Sequence, residues 1–123
     1  MGNESNMSEY GHSLEKVIAT TDDLRQVKKS DVYFGDLIIV NTRNSVYSLR
    51  AVDNDSFLVS GGWFDRKGLS PLKTTVRGCT WGGSIIKIDI VAACGLCLEF
   101  GNRVVTTAIE KVSVIRLNDV VLQ

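Results

Sequence analysis

The chain has 123 residues, of which 44% are hydrophobic and 23% are charged, close to the averages for globular proteins. This length fits a single domain, and the composition excludes a wholly disordered chain. Fourteen basic and fourteen acidic residues give a formal net charge of zero, so the overall basic excess typical of nucleic-acid-binding proteins is absent.

Apolar stretches and cysteine content indicate where in the cell the protein is found. No stretch approaches the ~20 apolar residues that a membrane-spanning helix requires. The first 30 residues also lack the apolar region of a secretory signal. Three cysteines, an odd number, favour free thiols in a reducing compartment. We therefore expect a soluble cytoplasmic protein that does not contact a membrane.

The N-terminal quarter of the chain differs in pattern from the rest. Residues 1–12 are rich in Asn, Ser, Glu and Gly and have no apolar period, which predicts a disordered tail. Leu14, Val17 and Ile18 have the spacing of one helix face, and Ser13 is suited to cap that helix. This pattern predicts a short helical segment over 13–30, followed by a single β domain over 31–119.

From residue 32 onward the pattern indicates strands. A short run rich in β-branched residues at 37–40 is followed by a polar loop and an alternating run at 46–52, which predicts a hairpin. In the next strand Phe57, Val59 and Trp63 share a phase, which predicts that Trp63 is buried. Gly61 and Gly62 are interpreted as a bulge in that strand.

The second half of the chain continues the β pattern. We expect strands near 74–81, over 86–91, over 96–100, and over 104–109 and 112–117. A two-residue turn at Gly101 and Asn102, with the glycine at positive φ, joins two of these strands. The fold class that follows is all-β: a small antiparallel barrel or sandwich of about seven strands with a short N-terminal helix.

Residue types for catalysis are scarce. His12 is the only histidine and lies in the predicted tail, which argues against a Ser–His or Cys–His nucleophile pair. Cys94 and Cys97 form a Cys-x-x-Cys string, but it lies between predicted strands, whereas redox pairs of this kind need a helix N-terminus. We therefore predict a non-enzymatic protein with no cofactor and no metal, in which the three cysteines are reduced.

The segment 63–81 is the best candidate for a binding site. Over residues 61–90 there are five basic and two acidic side chains, and two tryptophans lie among them. Trp81 has the phase of Arg77 and precedes a glycine pair, so we expect it to be exposed. Such a segment suits a protein partner, for which Trp and Arg supply much of the binding energy. It could instead bind single-stranded nucleic acid by stacking and phosphate pairing, or decorate a solvated loop.

The candidate partner-binding residues are therefore one hairpin-tip residue and four residues of this segment: Arg43, Arg66, Lys67, Arg77 and Trp81. The predicted function is a binding or protein-interaction module, for a protein partner or for self-association. Two alternatives remain: single-stranded nucleic-acid binding through 63–81, and a small-ligand pocket at a barrel mouth.

Four short strings in the chain resemble a group of small bacterial all-β proteins with no known activity. They are Thr-Arg-Asn-Ser-Val-Tyr at 42–47, Val-Ser-Gly-Gly at 59–62, Gly-Cys-Thr-Trp-Gly-Gly-Ser at 78–84, and Leu-Glu-Phe at 98–100. The resemblance covers about residues 33–117. It implies a small soluble β domain, and it brings no cofactor, activity or site residue with it.

Overall fold

The computed structural model describes residues 18–53, 55–81 and 85–117. Their secondary structure is almost entirely β, which confirms the predicted class. The strands are β1 (Ile18–Leu24), β2 (Gln26–Lys28), β3 (Leu37–Thr42), β4 (Val46–Asp53), β5 (Ser56–Gly61), β6 (Leu72–Trp81), β7 (Ile85–Lys87), β8 (Ile90–Ala93), β9 (Cys97–Phe100) and β10 (Val105–Leu117). A 3-10 turn (Lys29–Asp31) follows β2, and a five-residue helix α1 (Gly62–Arg66) follows β5.

The main sheet curls into a barrel-like form. Its strand order is β9-β10-β3-β4-β5-β6-β7, and β1 adds to β10. Because β9 also pairs with β6, the antiparallel pairings among β10, β3, β4, β5, β6 and β9 form a closed path. A second, two-stranded sheet consists of β2 and β8.

The predicted hairpin of β3 and β4 is confirmed, and its alternation explains the core. Val40 lies opposite Tyr47 and Ile38 opposite Leu49, and all four side chains are buried. Successive residues point to opposite faces of a strand, so every second residue of the two strands enters the core. Thr42 closes the hairpin, since its Oγ1 accepts a hydrogen bond from the Ser45 amide (3.1 Å).

Trp63 packs against the core, as the sequence predicts, but it does not do so by continuing the buried face of β5. Gly61 and Gly62 have φ of 101° and 44°, values that favour glycine, and they begin α1 instead of forming a bulge. The helix changes the phase, so Phe64 is 0% exposed whereas Trp63 is half-buried. The Phe64 ring lies edge-on to Trp63 and Phe100, with centroids 5.2 and 5.0 Å away.

The predicted N-terminal helical segment over 13–30 is also wrong within the described residues. Residues 18–24 form β1, whose register places Ile18 opposite Leu117 and Leu24 opposite Val112. Val27 in β2 is buried and lies opposite Ala92 of β8. Pairing with two distant strands therefore outweighs a helical pattern of only three apolar residues. Residues 1–17 lie outside the described residues, so the predicted tail over 1–12 stays a prediction.

The strands of the second half differ from their predicted bounds. The predicted strand over 86–91 is two strands, because β7 pairs with β6 whereas β8 pairs with β2. Ile88 lies in the turn between them and is 70% exposed. The runs 104–109 and 112–117 are one strand, β10, with an irregularity between Ile109 and Lys111. In the β9–β10 turn Arg103, not Gly101, has a positive φ (74°).

Candidate functional site

Trp81 lies at the end of β6, where the strand leaves the core. Cys79 and Thr80, the two residues before it, are buried, but Trp81 is 75% exposed, as the sequence predicts. A cavity of about 350 Å³ opens beside the indole and is lined by Cys79, Trp81, Lys87 and Leu96. We call this the Trp81 cavity. Of the described residues that line it, only Lys87 is charged.

Two of the five basic residues in 61–90 are already paired with acidic residues from other strands. Arg77 Nη1 donates to Glu99 Oε2 at 2.8 Å, and Lys73 Nζ donates to Asp53 Oδ2 at 2.5 Å. The local basic excess seen in the sequence is therefore partly neutralised in the fold. Arg77, a predicted partner-binding residue, is held in this pair on the surface of the sheet, with its side chain 42% exposed.

Arg66 and Lys67 are separated from Trp81 along the chain by the whole of β6. Arg66 ends α1 and Lys67 follows it, both before the first residue of β6, whereas Trp81 is the last residue of that strand. Ten residues of extended strand span roughly 30 Å at about 3.3 Å per residue. Asp65, beside them, accepts hydrogen bonds from Ser70 Oγ and the Gly61 amide, which lower the pKa of its carboxyl group. The segment 63–81 therefore does not present one continuous surface.

Arg43 lies closer to Trp81 than its sequence position suggests. Its amide donates to the Ala108 carbonyl (3.2 Å), Ala108 lies opposite Cys97, and Cys97 lies opposite Thr80. Three strand spacings of about 4.8 Å therefore separate Arg43 from the neighbour of Trp81, roughly 15 Å in total. Of the five predicted residues, the fold brings Arg43, Arg77 and Trp81 to one region and leaves Arg66 and Lys67 outside it.

Sequence reasoning missed an exposed aromatic turn at residues 32–36, which we call the Phe34 turn. Phe34 is 83% exposed and Tyr33 is 64% exposed. The buried Asp36 carboxylate accepts a hydrogen bond from the Tyr33 amide (2.9 Å), and the Asp36 amide donates to the Tyr33 carbonyl (3.0 Å). The Gly35 amide donates to the Ala51 carbonyl (2.8 Å), which fastens the turn to β4.

Two arginines hold the same turn from its outer side. Arg50 Nη1 donates to the Gly35 carbonyl at 2.9 Å. Arg116 Nη1 lies 3.6 Å from Asp36 Oδ2, and its guanidinium carbon is 5.8 Å from the centre of the Tyr33 ring. The two aromatic side chains are therefore exposed on backbone that is fixed in place. The signal available in the sequence was the string Tyr-Phe-Gly-Asp, two aromatics before a turn dipeptide.

A cavity of about 480 Å³ lies beside this turn, and we call it the Phe34 cavity. Its described lining comes from the 3-10 turn and the Phe34 turn, from the end of β4 and the residue before β5, and from one core phenylalanine. The lining residues are Lys29, Ser30, Val32, Tyr33, Phe34, Ala51, Val52, Asp53, Asp55 and Phe57. Its volume falls in the range of small-ligand sites, about 300–1,000 Å³.

The three cysteines are free thiols, and Cys79 is the buried one. Burial raises the pKa of the Cys79 thiol to about 11, so it stays protonated at neutral pH. Gly95 has φ 89° and turns the chain between Cys94 and Cys97, and the Cys94 thiol lies 3.4 Å from the Leu24 carbonyl oxygen. Among residues 18–53, 55–81 and 85–117 no three His, Cys, Asp or Glu side chains are grouped as metal ligands would be.

Over the same three ranges, no helix is long and apolar enough to span a membrane. Comparison with protein-family models, with curated proteins and with solved structures gives no match for this chain. The resemblance to small bacterial β proteins therefore stays a prediction.

Proposed function

We propose that this small β-barrel is a non-enzymatic binding module that contacts a protein partner through the surface around the Trp81 cavity. The observation that carries the proposal is the exposed indole of Trp81 beside an apolar cavity large enough for one side chain. Tryptophan is enriched among the residues that dominate protein–protein binding energy, and such residues cluster around pockets. Ile88, also exposed, lies in the turn that follows β7 and extends the apolar surface.

The charges near Trp81 favour a protein partner over single-stranded nucleic acid. A nucleic-acid groove needs cations that follow the phosphates between stacking aromatic rings. Here the Arg77 cation is already bound to Glu99, and Arg66 and Lys67 lie at the other end of β6. One lysine, Lys87, remains in the cavity wall. The three thiols are free, which supports our proposal of a reducing, cytoplasmic location.

The test compares the intact protein with Trp81→Ala as bait for native-host proteins, after nuclease treatment of the extract. We expect a partner that wild type retains at near-equal molar amount and that Trp81→Ala loses. Leu69→Ala, which removes an exposed apolar side chain that lines neither cavity, is the matched control and should retain the partner. Circular dichroism should show that all three proteins are folded.

Two outcomes would contradict this proposal. Retention of the same partner by Trp81→Ala would place the interface elsewhere. Binding of a single-stranded oligonucleotide, measured separately without nuclease and with affinity falling steeply as salt rises, would favour the alternative. Sedimentation at increasing protein concentration distinguishes a second copy of the chain from a different protein, since only self-association depends on the concentration of this chain alone.

A further inference from the structure

We propose that the Phe34 cavity binds an alkylammonium group, held between the Tyr33 and Phe34 rings and the carboxylates of Asp53 and Asp55. This site is separate from the Trp81 cavity and shares no lining residue with it. Aromatic faces attract cations through their quadrupole, and carboxylates bind an ammonium by charge-assisted hydrogen bonds. The cavity combines both kinds of group.

The aromatic walls are fixed before any ligand binds. The Phe34 turn is fastened by the Asp36 carboxylate and by the hydrogen bonds to Ala51 and Arg50. A ligand therefore meets rings whose backbone does not have to be ordered, which lowers the entropy cost of binding. The Tyr33 ring already contacts one cation, the Arg116 guanidinium, which lines a smaller neighbouring cavity together with Tyr33.

Asp53 already binds an ammonium group of the protein itself. Lys73 Nζ lies 2.5 Å from Asp53 Oδ2, and both side chains are more than half exposed. Exposed ion pairs of this kind contribute little to stability, so a ligand can displace the lysine. Asp55, on the same side of the cavity, forms no ion pair within the described residues.

The cavity also selects the number of charges on the ligand. Lys29 lines it as well, and its cation opposes a second ammonium in the same space. We therefore expect a single ammonium on an apolar chain, as on a lysine side chain, to bind better than a polyamine. A lysine of a protein and a free amine share this chemistry, and the probes below distinguish them.

The test is a titration of the full chain, labelled with ¹⁵N, at low ionic strength. We expect n-butylammonium to give saturable shifts of the Gly35, Val52 and Asp55 amides, with a dissociation constant on the order of 10 mM for so small a ligand. 1-Butanol has the same shape without the charge, and butyrate has the opposite charge. Both should bind at least about fivefold more weakly if the cation is what the site recognises.

Variants locate the site. Phe34→Ala and Asp55→Asn should each weaken butylammonium binding about fivefold, whereas Lys73→Met should strengthen it by removing the competing ammonium. Asp55 has φ 62°, a conformation that asparagine also tolerates, so Asp55→Asn keeps the turn. Glu110→Gln removes one exposed negative charge elsewhere and should change nothing, and neither should Trp81→Ala.

Nα-acetyl-lysine methylamide and spermidine distinguish the two sources of an ammonium. Tighter binding of the capped lysine supports the proposal as stated, with a protein lysine as the ligand. Tighter binding of spermidine than of the capped lysine would overturn the inference that the cavity prefers a ligand with one ammonium group. Equal shifts with butylammonium and butanol, or equal weakening by Asp55→Asn and Glu110→Gln, would overturn the cation site. So would the absence of saturation at about tenfold the expected dissociation constant.

Discussion

Thr80 carries a buried hydroxyl group that has no hydrogen-bond partner among the described residues, and its replacement by valine should stabilise the protein. The residue is 1% exposed, and its Oγ1 is unpaired within residues 18–53, 55–81 and 85–117. It lies in β6 opposite Cys97 on one side and Ile86 on the other. Valine has nearly the same shape, so Thr80→Val removes the unsatisfied oxygen without opening a cavity.

The magnitude follows from the cost of an unpaired polar group. A buried hydroxyl that lost its water and gained no partner costs about 1–3 kcal/mol, so Thr80→Val should raise the free energy of unfolding by about 1–2 kcal/mol. The matched control is Thr106→Val. The buried Thr106 Oγ1 accepts a hydrogen bond from the Leu98 amide (3.0 Å) and donates to the Thr107 carbonyl (2.7 Å). Its loss leaves the Leu98 amide unpaired and should cost about 1–3 kcal/mol.

The assay is urea unfolding monitored by circular dichroism. The free energies of unfolding are compared only if the variants share the same dependence of that free energy on urea concentration. We expect the two valine variants to change the midpoint in opposite directions. The midpoint temperature of Thr80→Val should also rise by about 5–10 °C, since about 5 °C per 1 kcal/mol is typical for a domain of this size. Destabilisation of Thr80→Val by as much as Thr106→Val would refute the reasoning, because it would show that the Thr80 hydroxyl is satisfied in the folded protein.

Two further predictions concern the aromatic core and the buried thiol. Phe64→Ala should lower the free energy of unfolding, measured in urea, by about 3–5 kcal/mol, because Phe64 is fully buried. Trp63→Ala should lower it by only about 1–2 kcal/mol. Equal losses would contradict the assignment of Phe64 to the core and Trp63 to its margin. The Cys79 thiol, whose pKa burial raises from 9.0 to about 11, is protonated in both states below pH 9. Between these values the unfolded chain loses its proton first, so the free energy of unfolding should fall by about 1.4 kcal/mol per pH unit in wild type. Cys79→Ala should lack this part of the decline between about pH 9 and about pH 11, and an unchanged decline would assign it to other groups.

The sequence predicts those parts of this protein in which local pattern and final environment agree. The β3–β4 hairpin follows from two alternating runs and a polar loop between them, because strand periodicity and turn chemistry act within a few residues. The exposure of Trp81 agrees with the prediction, but its phase along β6 does not explain it, because Cys79 has the same phase and is buried. That His12 is the single histidine of the sequence is likewise known from composition alone.

Where distant partners decide, the sequence is a poor guide. Residues 18–24 carry part of a helical pattern but form a strand, because β10 offers its edge to them from more than 80 positions away. The phase that places Trp63 in the core fails at Gly61 and Gly62, whose positive φ values start a helix. Intrinsic preferences of this size are small beside the burial and pairing that tertiary contacts provide.

The same distinction applies to the candidate sites. Arg66 and Lys67 are near Trp81 in the sequence, yet an extended strand separates them in space, whereas Arg43 approaches Trp81 through two intervening strands. The Phe34 turn depends on Ala51 and Arg116, which lie well outside any local window. A rigid exposed aromatic ring needs hydrogen bonds from such distant residues to hold its backbone, and only the tertiary structure brings them together.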